Sequence, residues 1–266
     1  MQADEGNPLK GPNSAQKHIH EAVVAERKLW KLIQSRSPLD NEVQELYHKA
    51  RLSYENSLLC HCEFAQLHDD ELALWRLHYN VIDDFRKRMQ ADSISRDRPG
   101  LDVTHDVAIG KDKSDYLLEG FRTFLSEATE FYEKLSEKIK KCHGIAEENS
   151  IPKEACFSNI PESTTMQRCQ YLCHRCSVCL GDLARYYELY ANCNNKNRNW
   201  SVAACHYLNA SVFWPESGNA RNQLAVLAIY IGDELLAVYH CVRSLAIKEP
   251  FLNAWDNLTW LFEKND

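Results

Sequence analysis

The residues best suited to chemistry lie between 168 and 190, in the stretch RCQYLCHRCSVCLGDLARYYELY. At 100° per residue Cys169, Leu172, Cys173, Cys176, Leu180, Leu183, Tyr187 and Tyr190 fall in one sector, which predicts an amphipathic helix with a sulfur-rich buried face. The opposite face carries His174, Val178, Gly181 and Arg185, so a guanidinium stands one turn beyond a residue with no side chain. That arrangement predicts open space above Gly181 through which a ligand reaches the cation. The plainer reading is a surface Arg185 paired with Asp182 at i−3, worth ~0.2–0.5 kcal/mol.

Cys169, Cys173, Cys176 and Cys179, with His174, are also the set that a search for zinc ligands finds first. Structural zinc sites place their thiols on turns so that four ligands converge, whereas these sit on one predicted helix and three share its buried stripe. Packing as small buried hydrophobes is the expectation, with no metal. Cys60, His61 and Cys62 make a weaker set, because helix neighbours two apart point in different directions. Catalysis needs a nucleophile, a base and an orienting group brought together. The sequence holds no glycine-rich phosphate loop, nucleophile elbow or acid-rich metal motif, so a protein without enzymatic activity or cofactor is expected.

The elements that must position these residues are read as helices throughout. Only 9 Gly and 8 Pro occur in 266 residues, which favours an all-α fold with one core. The net charge of −7 argues against direct nucleic-acid binding, since phosphate backbones select a basic footprint. The polar start and the lack of any 18-residue apolar run predict a soluble, intracellular chain with reduced cysteines.

Residues 1–13 read as a disordered tail, and 14–266 as one helical domain. A first helix is expected over 14–35, with Ile19, Val23, Leu29, Trp30 and Ile33 on one side. Asp40 is a candidate N-cap for a second helix to about 64. A third runs from Asp69 and Asp70 to about 89, with an inward stripe of Leu72, Trp75, Tyr79, Ile82, Phe85 and Met89. Arg76, Asn80 and Lys87 share another flank, because offsets of four and seven residues return to nearly the same angle. Long loops are expected at about 92–113 and 145–166, around a fourth helix over 114–141. From Trp200 a faint repeat appears: Ala203, Ala210 and Pro215 are matched by Ala237, Ser244 and Pro250, which suggests tetratricopeptide-like helix pairs. They are expected near 200–213, 219–231, 233–247 and 251–263, with Gly218 and Gly232 in turns and Asp233 as an N-cap, for about nine antiparallel helices in all.

The string from Cys179 to Tyr186 (CLGDLARY), with Asn222 to Leu227 (NQLAVL), Ala237-Val-Tyr239, Arg243 to Ala246 and Pro250-Phe251, resembles the Est/SMG adaptors of nonsense-mediated mRNA decay, and most nearly the plant SMG-seven-like branch. The likeness runs from about Val43 onward and is densest from Tyr171 to Phe262. It implies a 14-3-3-like helical bundle that binds a phosphorylated Ser/Thr peptide of a decay-pathway RNA helicase, with a second adaptor as a further partner in a heterodimer. It also implies a cytoplasmic location, with the nucleus and mRNA-decay granules as further sites. On this resemblance Arg185 holds the phosphate, Tyr186 donates its hydroxyl, Lys87 and Arg76 assist, and Asn222 holds the peptide backbone.

One departure stands out. The family places a Lys directly after the Trp-x-x-x-aromatic pattern of the third helix, and here Trp75-Arg-Leu-His-Tyr79 is followed by Asn80. Asn offers only a neutral hydrogen bond, roughly half as strong as a charge-assisted one. Asp84, one turn on, would repel a dianion. If the pocket exists, Arg185, Asn80 and Lys87 line one concavity. For Asn222 a helix cap or buried amide weighs equally with the ligand role. Two further readings stay open: a helical scaffold that has lost phosphoserine reading, and a telomerase-associated nucleic-acid-binding protein.

Overall fold

A computed structural model describes residues 12–61, 69–96, 106–142, 164–192 and 198–264. Among these the chain forms nine α-helices: α1 (Pro12–Ile33), α2 (Asn41–His61), α3 (Asp70–Arg96), α4 (Asp106–Cys142), α5 (Thr164–Tyr186), α6 (Ser201–Phe213), α7 (Asn219–Ile231), α8 (Glu234–Leu245) and α9 (Ala254–Glu263). A π-helical turn, Tyr187–Ala191, continues α5. The chain divides into two compact units, Met1–Ala128 and Thr129–Asp266, and the division falls within α4.

In the first unit α1 and α2 join through a short turn that Asp40 closes by accepting from the Glu42 backbone N–H at 3.0 Å, the expected N-cap. Pro12 opens α1 at a position where its missing N–H costs nothing. Alanines rather than large side chains bring α1 close to its neighbours: Ala15, Ala22 and Ala25 are buried with Leu29 and Ile33, while Val23 is exposed. The buried Glu26 carboxylate accepts from Trp30 Nε1 at 3.0 Å and from the Tyr54 hydroxyl at 2.6 Å, so each oxygen has a donor. Arg88 of α3 donates at 2.7 Å to the carbonyls of Ile33 and Arg36 and so satisfies orphan acceptors where α1 ends.

The buried face of α3 differs from the expected stripe. Leu74, Leu77, Val81, Ile82 and Phe85 face the core around a fully buried His78, whereas Leu72 and Tyr79 are exposed. Two flanks of this helix are apolar, and packing selected the one that sets aromatic rings against Tyr47, Phe121 and Phe124. His78 stays inside because its Nδ1–H donates to the Leu74 carbonyl at 2.8 Å.

In the second unit α5 is enclosed on both faces. Cys169, Leu172, Cys173, Cys176 and Leu183 are buried as expected, and so are His174, Val178, Cys179 and Gly181 on the face opposite. His174 is accommodated by donating Nδ1–H to the Ala210 carbonyl at 2.9 Å. The helix pairs α6–α7 and α8–α9 follow, and the small residues of the repeat, Ala203, Ala210, Ala237 and Ser244, are buried. A single bridge, Ser217 with Glu249, ties the corresponding turns of the two pairs. Gly218 sits there because a Cβ would meet the Ser244 carbonyl at 2.3 Å. Gly232 takes φ +85 at the end of α7, and Asp233 caps α8 through the Leu236 N–H at 3.0 Å.

Helix extends further than the sequence reading allowed. Residues 92–96 complete α3 and 106–113 begin α4, inside the expected loop of 92–113, while 97–105 lie outside the described residues. That expectation rests on Pro99 and Gly100, whose effect reaches only their immediate neighbours, and on the lack of a sustained apolar period, which does not prevent polar residues from extending a helix end. Residues 164–166 likewise open α5, and Pro12 and Asn13, read as tail, belong to α1. The rest of the tail, 1–11, and the rest of the second loop, up to 163, lie outside the described residues.

Candidate functional site

Arg185 occupies the last turn of α5 and is nearly buried: its side chain is 11% exposed and that of Asp182 9%. Arg185 Nη2 donates to Asp182 Oδ1 at 2.8 Å, and Nε donates to the Tyr207 hydroxyl at 3.2 Å. The Tyr207 hydroxyl in turn donates to the same Asp182 Oδ1 at 2.7 Å. A closed ring of three hydrogen bonds results. The guanidinium carbon also lies 4.7 Å from the Tyr186 ring centroid, where the π face attracts a cation.

The space expected above Gly181 is filled. The Tyr207 ring lies against this glycine so closely that a Cβ there would be 2.4 Å from Cε1 and 2.6 Å from Cδ1. Gly181 therefore admits a tyrosine of α6 rather than a ligand, and the exposed ion pair of the plainer reading is a buried one.

Electrostatics hold both partners in their bonding forms. Burial alone would lower the Arg185 pKa, but Asp182 first, then Tyr207 and Tyr186, outweigh it and raise the pKa, so the cation is permanent. Burial, with the adjacent Asp182 carboxylate, raises the Tyr207 phenol well above its ordinary value, so the hydroxyl keeps its proton and remains a donor.

Tyr186 is buried; its ring backs Arg185 and stacks on Tyr190 with centroids 6.3 Å apart. The π turn after Tyr186 widens the helix by one residue and shifts the angular phase. Tyr187, predicted to face inward, is exposed where α5 passes into this turn. Asn222 lies inside α7 with Gly218 at its N-cap, which excludes the helix-cap reading. It is a buried amide whose Oδ1 accepts from Asn257 Nδ2 of α9 at 2.8 Å, so Nδ2 is the group left to donate to a peptide carbonyl.

The other basic candidates belong to α3, in the first unit. Arg76 and Lys87 are exposed and Asn80 half-buried, all three on the flank opposite the buried His78 face. Lys87 Nζ is 2.7 Å from Asp83 with its side chain 74% exposed, and that hydrogen bond raises its pKa. Asp84, the residue expected to repel a dianion, is engaged by Arg88 at 2.7 Å.

The α5 thiols Cys169, Cys173, Cys176 and Cys179 are free and buried. Among the described residues no three His, Cys, Asp or Glu side chains are grouped to hold a metal ion, and no helix is long and apolar enough to cross a membrane. Tyr207 is the residue that sequence reasoning missed. Its signal was present: a large polar-tipped ring between the buried Ala203 and Ala210, on the face of α6 that packs inward.

The helices place the chain among all-α proteins of 14-3-3-like fold. A chain in the structure of the C. elegans SMG5-SMG7 complex matches with a TM-score of 0.51 and 17% identity, covering 92% of this chain and 53% of that one. Two models of one family match in sequence, telomerase activating protein Est1 over 71–191 and the Est1 DNA/RNA binding domain over 203–266, together more than half of the chain. The chain belongs to the Est1 family. It is 39% identical over 265 residues to the Arabidopsis thaliana nonsense-mediated mRNA decay factor SMG7-like, covering 100% of this chain and 26% of that protein. It is 37% identical to Arabidopsis thaliana SMG7, with 81% of this chain and 21% of that protein covered. Against the Danio rerio telomerase-binding protein EST1A it is 29% identical, with 79% and 12% covered. The chain thus spans about a quarter or less of the length of these curated relatives.

Proposed function

We propose that this chain is a non-catalytic, phosphopeptide-binding adaptor of nonsense-mediated mRNA decay. The observation that carries this reading is Arg185: a permanent cation held at the end of α5 by Asp182, Tyr207 and Tyr186, in a chain whose relatives are named as decay factors. Its ligand is a phosphorylated Ser/Thr segment of the pathway's RNA helicase. Arg185 contacts the phosphate, and Asn222 of the same unit donates Nδ2–H to a peptide carbonyl; in the first unit Lys87, Arg76 and Asn80 are the residues that the family resemblance assigns to assist. Tyr186 contributes its ring, which backs the guanidinium. A second Est/SMG adaptor is a partner of the same protein, a reading supported by the pairing of SMG5 with SMG7 in the C. elegans complex, and the cytoplasm is its principal location.

The test is a titration with a fluorescent peptide pool degenerate around one phosphoserine, against its unphosphorylated counterpart. Tighter binding of the phosphorylated pool, lost in Arg185→Glu, supports the reading. Equal binding of both pools rejects it and leaves a helical scaffold.

Nucleic-acid binding is a second reading, because residues 203–266 match a family region described as DNA/RNA binding. Its charge is against it: the region holds four basic residues, Arg221, Arg243, Lys248 and Lys264, and seven acidic ones, Glu216, Asp233, Glu234, Glu249, Asp256, Glu263 and Asp266. Lys248 and Lys264 are already paired with Glu216 and Glu234. Counterion release requires basic groups available to phosphates, so binding of single-stranded RNA that weakens steeply with salt would favour this second reading.

A further inference from the structure

The guanidinium of Arg185 has two edges that can each grip an oxyanion. One is the side-on edge formed by Nε–H and an N–H of Nη2, the other the end-on edge formed by Nη1 and the second N–H of Nη2. The side-on edge is consumed within the protein, because Nε donates to Tyr207 and Nη2 to Asp182. The ring closes because the Tyr207 hydroxyl serves both sides, accepting from Nε while donating to Asp182 Oδ1. A phenylalanine would fill the same volume and break two of the three bonds.

We infer that Tyr207 is a positioning residue for phosphate recognition, locking Arg185 by its side-on edge so that only the end-on edge is offered to a ligand. This rests on the phosphopeptide reading above. Three observations carry it. Tyr207 is fully buried, so its hydroxyl has no solvent role. The glycine at 181 lets the ring approach the α5 backbone to a distance that no side chain would permit. The Tyr186 ring at 4.7 Å backs the guanidinium as a further restraint.

The lock has two consequences for binding. An arginine ordered before the ligand arrives loses little side-chain entropy on contact, and that loss is otherwise a substantial cost of immobilising a long side chain. Asp182 also shares the cation, so Arg185 does not attract every carboxylate that approaches. A dianionic phosphate placed end-on keeps its advantage over a singly charged Asp or Glu, since its added charge acts on a cation whose position is already fixed.

The experiment compares wild type with Tyr207→Phe. In the ligand-free protein, the ¹⁵N-resolved Nε–H signal of Arg185 is expected to exchange slowly with water in wild type and rapidly in Tyr207→Phe. In binding, the ratio of affinities for the phosphoserine and unphosphorylated peptide pools is expected to fall about fivefold, the loss of roughly one hydrogen bond, while affinity for the unphosphorylated pool stays unchanged. An unfolding midpoint measured in parallel separates this from simple loss of fold, which would weaken both peptides equally and so overturn the inference. A wild-type preference for phosphate that Tyr207→Phe leaves intact overturns the inference alone. Equal binding of both pools by wild type overturns the phosphopeptide reading, and the inference with it.

Discussion

Lys87 of α3 and Arg185 of α5 meet solvent in opposite ways. Lys87 extends from α3 with its side chain 74% exposed and one carboxylate partner on its own helix. Arg185 is 11% exposed and is held by groups from two helices, Asp182 of α5 and Tyr207 of α6. A charge of the first kind is screened and mobile, and it steers an anion more than it binds one. A charge of the second kind is desolvated in advance and fixed in direction, so it can set the geometry of recognition. The two helices therefore suit different tasks even though both carry cations on a predicted ligand face.

The sharpest way to break this contrast is to reverse the buried charge. Arg185→Glu places a second carboxylate against Asp182 with no cation between them. It is expected to remove any phosphate preference and to lower stability by about 3–5 kcal/mol, the usual cost of breaking a buried pair. Urea unfolding and the two-peptide titration read these effects separately. A loss of stability within about 0.5 kcal/mol, of order RT, would show that the pair is not effectively buried.

On α3 the change runs the other way. Asn80→Lys supplies a charge-assisted contact and is expected to raise phosphopeptide affinity about ten- to a hundredfold, or ~1.5–3 kcal/mol. Lys87→Ala, by contrast, should leave the unfolding midpoint unchanged. If Lys87→Ala instead lowers phosphopeptide affinity as much as Arg185→Glu does, Lys87 already compensates for Asn80 and the Asn80→Lys gain should vanish.

Two helical glycines sharpen the comparison between the units. Gly181→Ala drives a Cβ into the fully buried Tyr207 ring, and an overpacking cost of about 1–3 kcal/mol is expected. Gly120→Ala meets only the Leu39 side chain, at 2.4 Å from its terminal Cδ2. Cδ1 at 2.6 Å and Cγ at 3.0 Å are met as well, so the half-buried Leu39 side chain must turn as a whole; the helix gains about 0.8–1 kcal/mol in propensity, which offsets that cost, and a smaller loss than for Gly181→Ala is expected. Thermal denaturation of both variants decides; a neutral Gly181→Ala would mean that the ring is free to move.

A further effect occurs in both units and is read through pH. Burial pushes His78 down to about 3 and His174 down to about 4, each neutral and hydrogen-bonded to a carbonyl. The unfolded chain takes up these protons near pH 6.5 and the folded chain does not, so stability is full above that value and falls as pH drops toward the folded pKa values. At pH 5.5 each histidine is expected to cost about 1.4 kcal/mol relative to neutral pH. Replacing either by Gln should flatten the slope of stability against pH by one proton, and an unaltered slope would show that the residue titrates normally in the folded state.

Much of this could be read from the chain alone, for a physical reason that also sets its limit. Helix periodicity, the Asp40 and Asp233 caps, the turns at Gly218 and Gly232 and the small residues of the last four helices are properties of short segments, and they fall as expected. Arg185 with Asp182 at i−3 is equally local, which is why the pair could be named before its burial was known. Tertiary structure alone decided what fills the space above Gly181, because Tyr207 arrives from 22 residues beyond Arg185. It also chose the His78 flank of α3 over Leu72 and Tyr79, since both flanks are apolar and only the rings of α2 and α4 discriminate between them. The π turn after Tyr186 belongs with these, for a single inserted residue shifts the phase of the residues that follow it without changing the helix's composition. A sequence states which side chains share a face; which face is covered, and by what, depends on segments that the local pattern does not contain.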